Sequence, residues 1–293
     1  MQLTNALKTV LLTLIFAVSV PALADVNVVT TIRPLEFIAK AVIGELGSTD
    51  SLIGRNASPH HFNFTPSNRR ALNRADIVLW VGPEFEVHIS ENMERLVKGR
   101  PLLTAFDLAD LKLLYLAESS GKDGHVWLSS HNAKVIASEL AAQLAVIDPT
   151  NATAFAANLQ QFKASLDVSN KAIQARLIAY KSTAYLVYHN GFQYFEQEQG
   201  LQHLLPLVLD PEVSPSINQI VAVRKKIEAT QPKCLISEAD ANADLANTFT
   251  RGVEMKIVEV DLLGYNIPLS TQAYIELLES VADSYTACLS AAD

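Results

Sequence analysis

The sequence predicts an α/β protein: two lobes with mostly parallel sheets, joined by one long backbone helix. Three observations carry that expectation. Short Val- and Ile-rich runs alternate with segments of helical periodicity, the pattern of a parallel, layered α/β fold. Residues 149–180 then place apolar side chains at helical spacing, with no Gly or Pro after Pro149. Finally, the strand–helix alternation begins again at Ala184. Apolar residues make up 49% of the chain, which is enough for a packed core and argues against a disordered chain.

In chain order, Asp25–Thr31 (DVNVVTT) reads as a strand. Arg33-Pro34 breaks it, and LEFIAKAVIGEL is helical by period. Asp50–Ile53 is a second short strand. It leads into Asn56–Ser67, "NASPHHFNFTPS", a segment too broken by proline for a helix or a long strand. Ser67 is a plausible cap for the helix NRRALNRAD. Ile77–Val81 is a buried strand ending at Gly82-Pro83-Glu84, a turn from which another helix starts. Beyond it, the reading is limited to an apolar segment after Asp123-Gly124-His125. Ala154, Leu159, Phe162, Leu166, Ile173 and Leu177 then mark a helix of roughly 45 Å at 1.5 Å per residue, a strut between lobes. Ala184–Tyr188 is a strand ending at His189, and a helix runs from about Gly191 to Gln199. Leu207–Pro215 is a loop. Ile217–Thr230 is a helix, Cys234–Ser237 a strand, Asp240–Thr250 a helix, Lys256–Val260 a strand and Thr271–Cys288 a closing helix. The expected division is 25–148, 149–180 and 181–293, after a leader over 1–24.

That leader has Lys8, an apolar run of about 12 residues from Thr9 to Val20 and an Ala22-Leu23-Ala24 end, the marks of a secretory signal peptide cleaved after Ala24. The run is shorter than the roughly 20 residues a membrane span needs, and no Cys follows it to carry a lipid, so no membrane anchor is expected. The formal net charge is −8, and losing Lys8 makes the exported chain more acidic still. An acidic exported protein has no electrostatic attraction to nucleic acid or anionic lipid. Export puts Cys234 and Cys288 in an oxidising space, where an even pair reads as a disulfide. A metal-binding pair remains open, although no CxxC spacing supports it.

Of the seven histidines, three fall where α/β folds gather ligands, beyond the carboxyl ends of strands. His60 lies after the second strand, His125 at a turn, and His189 at a strand end. Glu238 and Asp261 also sit just past strand ends. Three neutral imidazoles plus a carboxylate or water suit Zn²⁺ and suit Mn²⁺ poorly. The bland alternative is three separate, hydrogen-bonded histidines, since no compact ligand spacing such as HExxH is present. His61 points away from His60 in an extended loop. His88, His131 and His203 read as surface or capping residues, and Glu84 and Glu86 as carboxylates at a helix N-terminus.

The stretches "NASPHHFNFTPS", "ADIVLWVGPEFE", "GHVWLS", "YLVYHNGFQYFEQEQGL", "LDPEVSPS", "KCLISEAD" and "VDLLGYNIPL" resemble, in order, the substrate-binding proteins of bacterial high-affinity zinc uptake ABC transporters, within the larger zinc/manganese-binding family. The likeness runs from about Asp25 to the C-terminus. It implies two lobes on a backbone helix with the metal between them, and no enzymatic activity. It assigns His60, His125 and His189 as ligands, with Asp261 as candidate fourth. His189 stands where the manganese branch usually has Glu, which implies zinc. The Cys234–Cys288 pair matches a disulfide in some zinc-branch members. Two features depart from the family: Pro59 replaces a Glu seen before the first histidine, and the His- and Asp-rich loop before the second ligand is missing. The expected function is a periplasmic, monomeric receptor that captures Zn²⁺ as transported ligand and delivers it to an inner-membrane ABC permease. The alternatives are a manganese or iron receptor of the same family and, from a different class, a zinc hydrolase using Asp261 or Glu238 as general base.

Overall fold

The computed structural model describes residues 25–54, 62–116, 121–211, 213–239 and 241–290. The leader, His60 and His61 lie outside the described residues. The first sheet has the order β2-β1-β3-β4, all parallel. Its strands are β1 (Val26–Thr30), β2 (Gly47–Ser51), β3 (Ile77–Trp80) and β4 (Leu102–Thr104). β3, "IVLW", is buried along its whole length, as a central parallel strand covered on both faces must be. β2, "GSTDS", is polar and pairs only with β1; an edge position tolerates that sequence.

Around this sheet lie α1 (Arg33–Ile43), α2 (Pro66–Arg74), α3 (Val87–Leu96) and α4 (Ser130–Ile147). α5 (Ala152–Leu177) carries the long segment and continues as a 3₁₀ turn to Tyr180. It buries Phe155, Phe162, Leu166, Ile173 and Leu177. That stripe packs on α1 and α4 of the first lobe and on the last helix of the second.

The second sheet is parallel, in the order β5 (Leu186–Val187), β6 (Cys234–Glu238), β7 (Lys256–Val260). With it come α6 (Gln193–Gln199), α7 (Ile217–Thr230), α8 (Ala243–Thr250) and α9 (Ala273–Leu289). Tyr185, Val187, Cys234 and Ile236 belong to the main hydrophobic core, which runs without a break into the first lobe. Leu186, Tyr188 and Leu235 belong to a smaller core with Ile227, Ala246 and Phe249. Alternate residues of one strand therefore serve two cores, as the period of two requires. Cys234 and Cys288 form a disulfide with a Cα–Cα distance of 5.5 Å, linking β6 to α9.

Several local expectations shift. Pro34 does not break the first strand from its helix but occupies the first helical turn of α1, where its missing N–H costs nothing. α2 is capped by Thr65 rather than Ser67, in a capping box with Asn68. β2 begins at Gly47 rather than Asp50. β4 and α4 went unread. β4 spans three residues, too few for a period, and α4 buries Ala133, Ile136, Ala137, Leu140, Ala141 and Leu144 at helical spacing while Val135, Ala142, Ala145 and Val146 on its other sides blur the stripe.

Candidate metal centre

β5 ends at Val187, and two residues later His189 emerges at the carboxyl edge of the second sheet. His125 leads a 3₁₀ turn over Val126–Leu128, just ahead of α4. The fold brings these two rings together although 64 residues separate them. Their centroids are 5.1 Å apart at 54°, and His125 Nε2 lies 3.3 Å from His189 Nε2. Both side chains are nearly buried, at 7% exposure each.

Behind each ring stands a carboxylate. Asp123 Oδ1 accepts the backbone N–H of His125 at 3.0 Å and faces its Nδ1 at 2.7 Å. Glu238, the last residue of β6, places Oε1 2.8 Å from His189 Nδ1. This is a close contact that falls outside hydrogen-bond geometry. A carboxylate at Nδ1 orients each ring and turns its Nε2 toward the other ring. The two Nε2 atoms face one another at 3.3 Å. Zn–N bonds of about 2.0–2.1 Å at the tetrahedral angle put two ligand nitrogens about 3.3–3.4 Å apart. Two buried carboxylates behind two imidazoles also suit one divalent cation, which would offset the cost of burying them.

The space itself is kept by Gly191. A Cβ there would stand 2.7 Å from His189 Nε2 and 3.1 Å from His125 Nε2, filling the volume an ion needs. Phe85 packs edge-on against His125 at 5.8 Å and Trp127 at 5.6 Å, which walls the ring from solvent. α6 braces the His125 side. Gln193 Nε2 donates to Asp123 Oδ2 at 3.0 Å, and Tyr194 Oη donates to the Asp123 carbonyl at 2.9 Å while accepting Leu114 N–H at 3.0 Å. Burial pushes the Tyr194 phenol up, so it stays a neutral donor. At the far end of α6, Glu198 accepts Ser130 N–H at 2.7 Å and Ser130 Oγ–H at 2.6 Å, capping α4.

The other candidates fall as follows. His60 lies outside the described residues, but its flanks are fixed: Ile53 N–H donates to Thr31 O at 2.9 Å, Asn68 Nδ2 to Leu52 O at 2.8 Å, and Phe62 is buried. Asp261 uses its carboxylate on its own turn. Oδ1 accepts Leu263 and Gly264 N–H at 3.2 and 2.8 Å, and Oδ2 accepts Asn266 N–H at 3.1 Å. Glu86 stands at the N-cap position of α3, as expected, but its side chain makes no cap bond to the helix. It turns back to accept Gly82 N–H at 2.8 Å and Val81 N–H at 3.3 Å, with the Thr31 hydroxyl also bonded to it. Burial pushes it up to about 7. Glu84 is exposed and pairs with Lys122 at 2.6 Å, which holds its carboxyl below the usual range. His203 is not a surface residue but pairs with Glu196 at 2.7 Å inside the second lobe. Among the described residues no three His, Cys, Asp or Glu side chains converge on one point. Two imidazoles do.

The residues that sequence reading missed are Asp123, Gln193, Tyr194, Gly191 and Phe85. The signals were present: an aspartate two positions before one histidine and a glycine two positions after the other. No helix among the described residues is long and apolar enough to cross a membrane.

The family model for the zinc-uptake complex component A, periplasmic (ZnuA), matches residues 28–288. The chain is 28% identical over 308 residues to the high-affinity zinc uptake system protein ZnuA of Haemophilus ducreyi, with 96% of this chain and 98% of that one covered. It is 27% identical over 293 residues to the Yersinia pestis protein of that name, covering 91% and 92%. A crystal structure of ZnuA shares the fold with a TM-score of 0.80 at 20% identity, over 90% of this chain and 99% of that one. The FpvC protein of Pseudomonas aeruginosa in complex with Mn²⁺ reaches 0.77 at 20% identity, covering 91% and 99%, so the fold alone does not choose the metal. A match that begins in the first strand and ends in the last helix leaves no part of the folded chain unaccounted for, and the protein belongs to the family of the periplasmic ZnuA component of zinc-uptake complexes, receptors rather than enzymes.

Proposed function

We propose that this chain captures one Zn²⁺ between its lobes through His60, His125 and His189 and delivers it to an inner-membrane ABC permease. The fourth position falls to Asp261 or to water. The observation that carries this reading is the 3.3 Å approach of His125 Nε2 and His189 Nε2, each ring backed by a buried carboxylate. The leader over 1–24 is removed after Ala24, and the mature receptor works as a monomer built from lobes 25–148 and 181–293 on the helix 149–180. Imidazoles must be deprotonated to bind metal, so affinity falls as the pH drops below about 6.5.

Calorimetric titration of Zn²⁺ tests the ligand set. His60→Ala, His125→Ala and His189→Ala are each expected to weaken binding by at least about a hundredfold. Gly191→Ala, which keeps every donor but pushes a methyl group into both rings, is expected to do the same. If any two of the histidine variants bind as tightly as the parent, the site is wrong. The Mn²⁺-bound FpvC neighbour keeps a manganese or iron receptor as a second reading. Competition at equal concentrations decides it, and Mn²⁺ displacing Zn²⁺ would overturn the choice of zinc.

A further inference from the structure

The turn over residues 261–267, "DLLGYNI", joins the second lobe to the first at several points. Trp127 Nε1 donates to Leu262 O at 3.0 Å. Arg33 Nε donates to Gly264 O at 3.2 Å, and Arg33 Nη2 to Ile267 O at 2.8 Å. In the other direction, Tyr265 Oη donates to Ile53 O at 3.3 Å. The guanidinium is itself fixed, lying 4.9 Å over the Phe37 ring and 3.4 Å from Glu36 Oε2. Gly264 has φ +69°, and a Cβ there would come within 2.5 Å of Phe37, so the turn sits directly on α1.

The inner side of the same turn is held by Asp261, whose two oxygens take the N–H groups of Leu263, Gly264 and Asn266. Lobe one thus grips the carbonyls of the turn while Asp261 grips its amides. The lobe-one partners matter as well. Trp127 is two residues beyond His125, and Ile53 is one residue before Gly54, where the described segment ends. The stretch that carries His125 and the end of β2's loop at Ile53 therefore both rest on this one turn of the second lobe.

We propose that Arg33 and Asp261 form an interlobe buckle: a pair of positioning residues that fixes the first-lobe ligands against His189 and so sets how long zinc stays bound. Asp261 then acts through the shape of its turn, which, of the two candidates named above, leaves water in the fourth position. The inference rests on the site proposed above and deepens it.

The test measures the rate of Zn²⁺ release from the full chain into excess chelator by stopped flow, with the association rate and the apo melting temperature alongside. Arg33→Met keeps the aliphatic stem and removes the donors. It and Asp261→Ala are each expected to speed release by about five- to tenfold with little change in association. The double variant is expected to match the singles, because both changes undo one turn. Arg33→Lys should recover part of the loss. Tyr265→Phe removes the bond to Ile53 O and should speed release by a smaller factor. Release from Arg33→Met at the parent rate, or effects that multiply in the double variant, overturns the buckle. A large loss confined to Asp261→Ala would instead make Asp261 a ligand. The outcomes also separate this inference from the site itself: a parent that fails to hold zinc, or a His189→Ala variant that holds it, removes the site, whereas normal behaviour in both with an unaffected Arg33→Met removes only the buckle.

Discussion

The two faces of the second sheet differ sharply in how they are covered. On one face lies α9, which buries Tyr274, Leu277, Leu278, Val281, Tyr285 and Leu289 and packs against α1 and α5 as well as against β6 and β7. On the other lies α7, which buries only Ile227 and leaves Ile217 at 79% and Val221 at 45% exposure. The helices are of similar length, 17 and 14 residues, so length does not explain the difference. What differs is the number of partners. α9 is shared between the lobes, and α7 serves only a small local cluster. Cohesion is concentrated where ligands from two lobes must stay within bonding distance of one ion, and it thins away from that point.

Breaking the α9 side should have the largest effect. Replacing Cys234 and Cys288 together by Ala opens a loop spanning 54 residues. The expected loss is about 4 kcal/mol, read from urea unfolding. A loss below about 1 kcal/mol would show that the packing of α9 suffices alone.

Next comes pH. Burial raises Glu86, at the first-lobe end of the shared core, to about 7, and bonds from Gly82, Thr31 and Val81 only partly oppose it. A carboxylate with a raised folded pKa stabilises most when protonated. Its contribution is therefore complete below its ordinary value near 4.5 and is lost as the pH rises through about 7. The loss is on the order of 3 kcal/mol. Glu36, raised to about 7 by burial against the pull of Arg33, adds in the same direction. Urea midpoints at pH 5 and pH 8 measure the sum, and Glu86→Gln should flatten the slope.

The smallest effect belongs to the other face. Ile217→Ser and Val221→Ser are expected to change stability by less than about 0.5 kcal/mol each. A loss above 2 kcal/mol from either would mean that α7 is held more firmly than its exposure indicates.

Most of the fold was legible because its periods are clean. The limits of α7 and β7 match those read from hydropathy and turn residues, and the Gly- and Pro-free run after Pro149 announced α5. The misses have physical reasons. β2 is an edge strand and needs no apolar alternation, and the stripe of α4 is blurred by alanine and valine on its other sides. At the centre, His125 and His189 stood out by their place at strand ends and turns. Asp123 and Gly191 did not, because their roles exist only once the chain has folded. One supports a ring across a single turn, and the other matters for the side chain it lacks. Asp261 carried the opposite risk: its position past β7 suggested metal, while its oxygens are bound to its own backbone.

The shared last helix also bears on how the receptor comes into being. α9 is the last helix of the described chain, and β6, β7, α1 and α5 all pack on it. A chain released N-terminus first has these elements available before the helix that covers them arrives. Until Leu289 is through, neither half can finish its interior. The faces of β6, β7 and α1 that α9 covers therefore stay bare until the end of the chain is released.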